Sequence, residues 1–310
     1  LTRNARHLDV LAHARRARCR VLCPDVVGRG QSDWLARKED YAYPQYLADM
    51  TAVIARATEH LLPDARIDWV GTSMGGLIGI LIAAQPRHPI RRLVLNDIGP
   101  SVPKAALERI ASYVGKAPRF ASLQEAEQYV RLVSASFGPL TDAQWRHLTE
   151  HNAHRAPDGS WVLNYDPGIA EVLAQLQDVD LWHFWDRIDC PVLAVRGMES
   201  DVLLPHTAQA MTQRGPRARL LELPGIGHAP ALMATDQVQA VCDFLFAAAA
   251  SRCGSEPSDR AWTLSISSPS AGLSKPWSAA TYPGCRGKDC RSIWTTMCSS
   301  RPSCARPIAC

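Results

Sequence analysis

Three observations in the sequence predict an α/β chain, a mostly parallel sheet flanked by helices with a helical lid inserted into it. Short apolar runs bounded by Gly, Pro or Asp recur at Arg20–Pro24, Ile67–Val70, Arg92–Asn96, Val192–Arg196 and Arg219–Leu223. Runs apolar on both faces suit strands buried in a parallel sheet. Helical periodicity fills the gaps at Tyr46–Leu62, Met74–Gln85 and Asp236–Ala250, and strand alternating with helix wraps a sheet on both sides. Residues 101–189 break the alternation with amphipathic stretches and no convincing strand, the pattern of a lid over the sheet's C-terminal edge.

The expected organisation is therefore a core in two parts, 1–98 and 191–250, with the lid at 99–190 between them. Beyond it, 251–310 carries thirteen Ser, six Pro and six Cys without a sustained period, and is expected to lie outside the folded domain. The net charge of +4 arises largely there, where eight Lys or Arg face three Asp or Glu. The remaining body is near neutral and has no basic stripe, which argues against nucleic acid as a partner. Its four scattered cysteines, Cys19, Cys23, Cys190 and Cys242, fit core or near-core positions in a reducing compartment. With no long apolar run to span a membrane, a cytoplasmic location is expected.

The motif that carries chemistry is Gly71-Thr72-Ser73-Met74-Gly75-Gly76, set between the run ending at Val70 and the helical stretch from Leu77. A serine on a tight strand-to-helix turn projects its hydroxyl, and flanking glycines remove the Cβ atoms that would collide there. Ser73 is thus the expected nucleophile, with the Met74 N–H at a helix N-terminus as an oxyanion donor. A serine hydroxyl needs a base and an orienting acid. His228 follows Gly225-Ile226-Gly227 after the last strand, and Asp201 follows the strand ending at Gly197, so His228 is the expected base and Asp201 the expected acid. Asp97, at the end of Leu93-Val94-Leu95-Asn96, is the rival acid, and Glu199 lies two residues before Asp201. Asp25, in the turn with Gly28 and Gly30, is expected to serve the turn instead. His147, His151 and His154 have helical spacing but no accompanying carboxylate or Cys cluster in the sequence, so a solvated lid face is expected rather than a metal site. No phosphate loop or dinucleotide fingerprint is present, and no cofactor is expected.

Residues 1–250 resemble the α/β-hydrolase superfamily, in particular lidded bacterial members with a Pro-Asp-x-x-Gly-x-Gly-x-Ser turn (Pro24 to Ser32), the elbow at Ser73 and the Gly-x-Gly-His loop ending at His228. The resemblance implies hydrolysis of a carboxylic ester or related acyl bond through an acyl-enzyme. It leaves open a lactonase, a carbon–carbon bond hydrolase, or a non-catalytic ligand-binding protein or inactive fragment on the same fold. It also implies that Arg3-Asn4-Ala5-Arg6 follows a strand ending in His-Gly, whose next N–H, matching Leu1, is the second oxyanion donor. The first strands, including one between those ending at Pro24 and Val70, are then missing, and an N-terminally truncated member with impaired activity is expected. The lid aromatics Phe137, Trp161, Trp182 and Trp185 are expected mainly to pack the lid, with an acyl pocket as the alternative.

Overall fold

A computed structural model describes residues 2–59, 61, 65–173 and 176–247, together with the backbone of 262–265. In chain order, α1 (Asp9–Arg15) precedes β1 (Val21–Leu22), α2 (Tyr43–Thr58), β2 (Ile67–Thr72), α3 (Met74–Ala83) and β3 (Ile90–Asn96). The inserted region holds β4 (Ser101–Val102), α4 (Lys104–Ala111), α5 (Leu123–Val133), α6 (Asp142–Asn152), β5 (Ala153–Arg155), β6 (Trp161–Leu163), β7 (Val179–Asp180) and α7 (Trp182–Trp185). The core resumes with β8 (Val192–Gly197), α8 (Pro205–Gln213), β9 (Arg219–Leu223) and α9 (Thr235–Phe246), and β10 (Trp262–Ser265) follows.

The main sheet is parallel throughout, in the order β1-β10-β2-β3-β8-β9. Its middle strands are apolar on both faces because both are covered. One layer packs Met50, Ile54, Ile78, Leu93 and Ala194 on one side, and the other packs Leu11, Val70, Val94, Val195 and Val241. Alternate residues of β2 and β3 thus feed different layers, Trp69 and Leu93 one, Val70 and Val94 the other. Burying a Val, Leu or Ile side chain is worth about 1.5–3 kcal/mol, so these paired strands are where the fold is held most firmly.

Two expectations are corrected. Residues 262–265, placed by the sequence outside the folded domain, form β10 and occupy the position between β1 and β2 that was expected to be missing its strand. Unpaired ladder groups in the middle of a sheet are costly, and a Trp-Thr-Leu-Ser run is compatible with a strand, so the later segment pairs there. The lid also contains strands: β4 pairs with β7 and β5 with β6, both antiparallel. They are two or three residues long, too short to show a period, and the second pair turns at Pro157-Asp158-Gly159, where Gly159 takes a φ of +86°.

Removing residues 251–310 therefore should lower stability by several kcal/mol, at about 1 kcal/mol per lost ladder hydrogen bond. Urea unfolding followed by circular dichroism measures this, and an unchanged midpoint would show that β10 adds nothing to the sheet.

Candidate active site

Ser73 stands where β2 gives way to α3, with φ +51° and ψ −118°, a conformation that side-chain-bearing residues avoid. The turn closes only because its neighbours are glycine: a Cβ on Gly71 would lie 2.3 Å from the Gly75 carbonyl oxygen, and one on Gly76 would lie 2.3 Å from Ile98 Cγ2. The Trp69 indole N–H donates to the same Gly75 carbonyl at 3.0 Å, and the Ser73 N–H donates to Asn96 O at 3.1 Å, binding the elbow to β3. Met74 is the first residue of α3, so its N–H is among those that a helix leaves without an intrahelical acceptor.

His228, on the loop after β9, places Nε2 3.0 Å from Ser73 Oγ. Its Nδ1 lies 2.8 Å from Asp97 Oδ2. A carboxylate on Nδ1 keeps the proton there and leaves Nε2 free to accept from the serine. Asp97 is fully buried and accepts two further bonds, from the Gly197 N–H at 2.9 Å and the Ser200 hydroxyl at 2.6 Å. Those donors supply in the interior the hydrogen bonds that water would supply outside. Burial pushes the His228 pKa below its ordinary value, against the opposing effect of the Asp97 hydrogen bond. The lid holds the histidine loop from the other side, for the Gly227 N–H donates to Ser136 O at 2.8 Å and Ser136 Oγ donates to His228 O at 2.6 Å.

The structure therefore brings together Ser73 and His228 as expected, but the carboxylate it sets against His228 is that of Asp97 and not of Asp201. Asp201 is instead paired with Arg109 of α4, which donates from Nη2 to Oδ1 at 2.8 Å and from Nε to Oδ2 at 2.5 Å. Burial alone would raise the Asp201 carboxyl pKa, and the Arg109 bonds outweigh it to hold the group below the usual range. The reason is positional: β3 lies directly beside β2, so a residue at its end reaches the histidine behind the elbow, whereas β8 is one strand further out. Glu199 is exposed. Asp25 accepts from the Ala5 and Gln31 N–H groups at 2.9 and 2.8 Å, a turn role, and a Cβ on Gly30 would strike its carboxylate. Leu1 lies outside the described residues.

Beside Ser73 and His228 is a cavity lined by Met74, Ile110, Tyr113, Val130, Phe137 and Tyr165, among others. Of the four lid aromatics singled out from the sequence, Phe137 alone lines it; Trp185 is buried elsewhere and bonds Arg214 O at 3.0 Å. The tyrosines and Arg3, which also line it, escaped sequence reasoning, since Arg3 carried no signal beyond its place in the N-terminal stretch. The histidine pattern is also revised: His147 and His151 converge with Asp9, which supplies a carboxylate from α1. Arg6 already bonds that carboxylate at 2.6 Å, and His147 Nε2 donates to Arg6 O at 3.1 Å, so Asp9 and His147 already have protein partners. His154 bonds Asn164 instead. Among the described residues no helix is long and apolar enough to cross a membrane.

Comparison with known proteins agrees with the geometry. The family described as the alpha/beta hydrolase fold matches residues 4–233. A 3-hydroxybutyrate-oligomer hydrolase of Cupriavidus necator is 42% identical over 249 residues, covering 77% of this chain and 83% of the relative. An esterase of Mycobacterium tuberculosis is 27% identical over 203 residues, 64% of each chain. A crystal structure of an alpha/beta hydrolase from Novosphingobium aromaticivorans superposes with a TM-score of 0.69 at 37% identity, covering 77% of this chain and 84% of that one. With the family matched across most of its length and the elbow built as that fold requires, the chain belongs to the alpha/beta hydrolase fold family.

Proposed function

We propose that the chain is a serine hydrolase that cleaves a carboxylic ester through an acyl-enzyme formed on Ser73. The observation that carries this reading is the unbroken line from Asp97 through His228 to Ser73, with bonds of 2.8 and 3.0 Å. Relatives of the chain at 42% and 27% identity are an oligomer hydrolase and an esterase, which supports an ester as the scissile group.

The chemistry follows from the positions. As Ser73 Oγ attacks the carbonyl carbon, its proton passes to His228 Nε2, and Asp97 stabilises the imidazolium that results. Charge developing on the carbonyl oxygen meets the Met74 N–H and the positive end of α3. The imidazolium then protonates the departing alcohol oxygen. Water, deprotonated by the same imidazole, releases the acyl group from Ser73. Asp201 has no place in this sequence, being held by the lid arginine.

A chromogenic acyl ester should give a burst of about one alcohol per chain before steady turnover, whenever deacylation is the slower step. Ser73→Ala should remove the burst and lower turnover by about a thousandfold or more. Turnover that survives this change would sink the serine mechanism. The rate also requires a neutral His228. Because its pKa is depressed, the imidazole stays neutral below the ordinary histidine value of about 6.5, so the acid limb of kcat/KM has its midpoint under that value. A pH–rate profile whose acid limb falls at or above it would contradict the buried histidine as base.

A further inference from the structure

The cavity beside Ser73 has an unusual charge distribution. Among the described residues that line it no Asp or Glu occurs, and apart from its two histidines the ionisable groups are tyrosines and the guanidinium of Arg3. Asp97, the nearest acid in the catalytic line, is behind His228 and is committed to His228, Gly197 and Ser200. Arg3 makes no ion pair within 4.0 Å to a carboxylate of the described residues. Its contacts are a hydrogen bond from Nη2 to the Ala229 carbonyl at 2.8 Å and the Phe137 ring, whose centroid lies 3.9 Å from Cζ.

A guanidinium in such a place is expensive to leave without an anion. The carbonyl and the ring face offset part of that cost, but a planar fork of N–H donors is suited to a carboxylate, and a single carbonyl leaves most of it unused. Burial lowers the Arg3 pKa to about 10, which still leaves it charged near neutrality. Nearby groups do not explain the cation structurally either: Tyr113 and Asp97 act on it only through space.

Building on the serine-hydrolase reading, we infer that Arg3 binds a carboxylate of the substrate, and that this carboxylate sits on the alcohol half of the ester. The side of the cavity decides which half. Arg3 bonds the carbonyl of Ala229, the residue directly after the base, so the guanidinium lies on the imidazole side of Ser73. The imidazolium delivers its proton to the leaving alcohol oxygen, whereas the oxyanion faces the Met74 N–H at the start of α3. A group that reaches Arg3 while its oxygen faces His228 belongs to the departing half. The substrate class is therefore an ester of a hydroxy carboxylic acid, whose hydroxyl is acylated and whose acid group is free.

The test compares two esters with one acyl group: in one the alcohol half is a short 3-hydroxy carboxylate, in the other its neutral primary amide. The full chain should favour the carboxylate by about tenfold to a hundredfold in kcat/KM, the range expected for a charge-assisted hydrogen-bonded pair. Arg3→Gln should collapse that ratio towards unity, chiefly through KM, and Arg3→Lys should restore part of it. Because the readout is a ratio within each variant, a general loss of folded protein does not imitate the effect. Should the glutamine variant fail to fold, competitive inhibition of the unaltered chain by the free 3-hydroxy carboxylate against its amide makes the same comparison. A preference that is equal in the unaltered chain and in Arg3→Gln, equal inhibition by acid and amide, or no preference at all would overturn the assignment. Ser73-dependent turnover of the neutral ester would stand in each of those cases, so failure of the subsite is separable from failure of the hydrolase reading.

Discussion

The site depends on one buried interaction, the carboxylate of Asp97 held against His228 Nδ1. In the proposed mechanism, the imidazole without it has neither a fixed tautomer nor a partner for the positive charge it gains, and Ser73 is an ordinary alcohol at a tight turn. Its burial is made possible by two donors from one short segment, the Gly197 N–H at the end of β8 and the Ser200 hydroxyl just beyond. Ser200 Oγ also accepts from the Val202 and Leu203 N–H groups at 3.1 and 3.2 Å, so the loop after β8 is folded around the acid of β3. The loop that carries Asp201 thus acts as a support for Asp97.

The inserted region between β3 and β8 does more than connect two strands. Ser136 bonds both Gly227 and His228, so the inserted region sets the histidine loop directly, and Arg109 reaches from α4 to Asp201 on the support loop. The lid is thereby tied to both loops that define the relay. The Arg109–Asp201 pair is partly exposed, where ion pairs contribute little to stability, so its effect is better understood as orientation than as strength. Phe137 links the two arrangements, since it follows Ser136 by one residue and stacks under the Arg3 guanidinium.

Much of this was legible in the sequence where local pattern and chemistry agree. The elbow at Ser73 was visible because a tight turn needs glycine at fixed offsets, and the strand at Ile67 and the helix from Met74 fell where the apolar runs put them. His228 was visible because it ends a Gly-x-Gly loop after a strand. The carboxylate that bonds His228 was not, because two aspartates stand at or beyond the ends of parallel strands, and only the order of those strands and Arg109 separate them. Nothing local to Asp97 reports that Gly197 and Ser200 will solvate it. β10 was missed for a related reason: its four residues carry no signal of their own, and their strand exists because β1 and β2 leave a position to fill. The carboxylate that joins His147 and His151 was likewise invisible, coming from Asp9 far away in the chain.

The most direct measurement on the central claim compares Asp97→Asn with Asp201→Asn in ester turnover and melting temperature. An amide at position 97 keeps the shape of the acid but stabilises the wrong imidazole tautomer, so kcat should fall by about a thousandfold to ten-thousandfold. The same change at 201 removes an exposed partner of Arg109 and should cost about tenfold or less, with a small shift in melting. The opposite ranking, a severe loss at 201 and a mild one at 97, would show that the acid of the relay is Asp201 and would contradict the account.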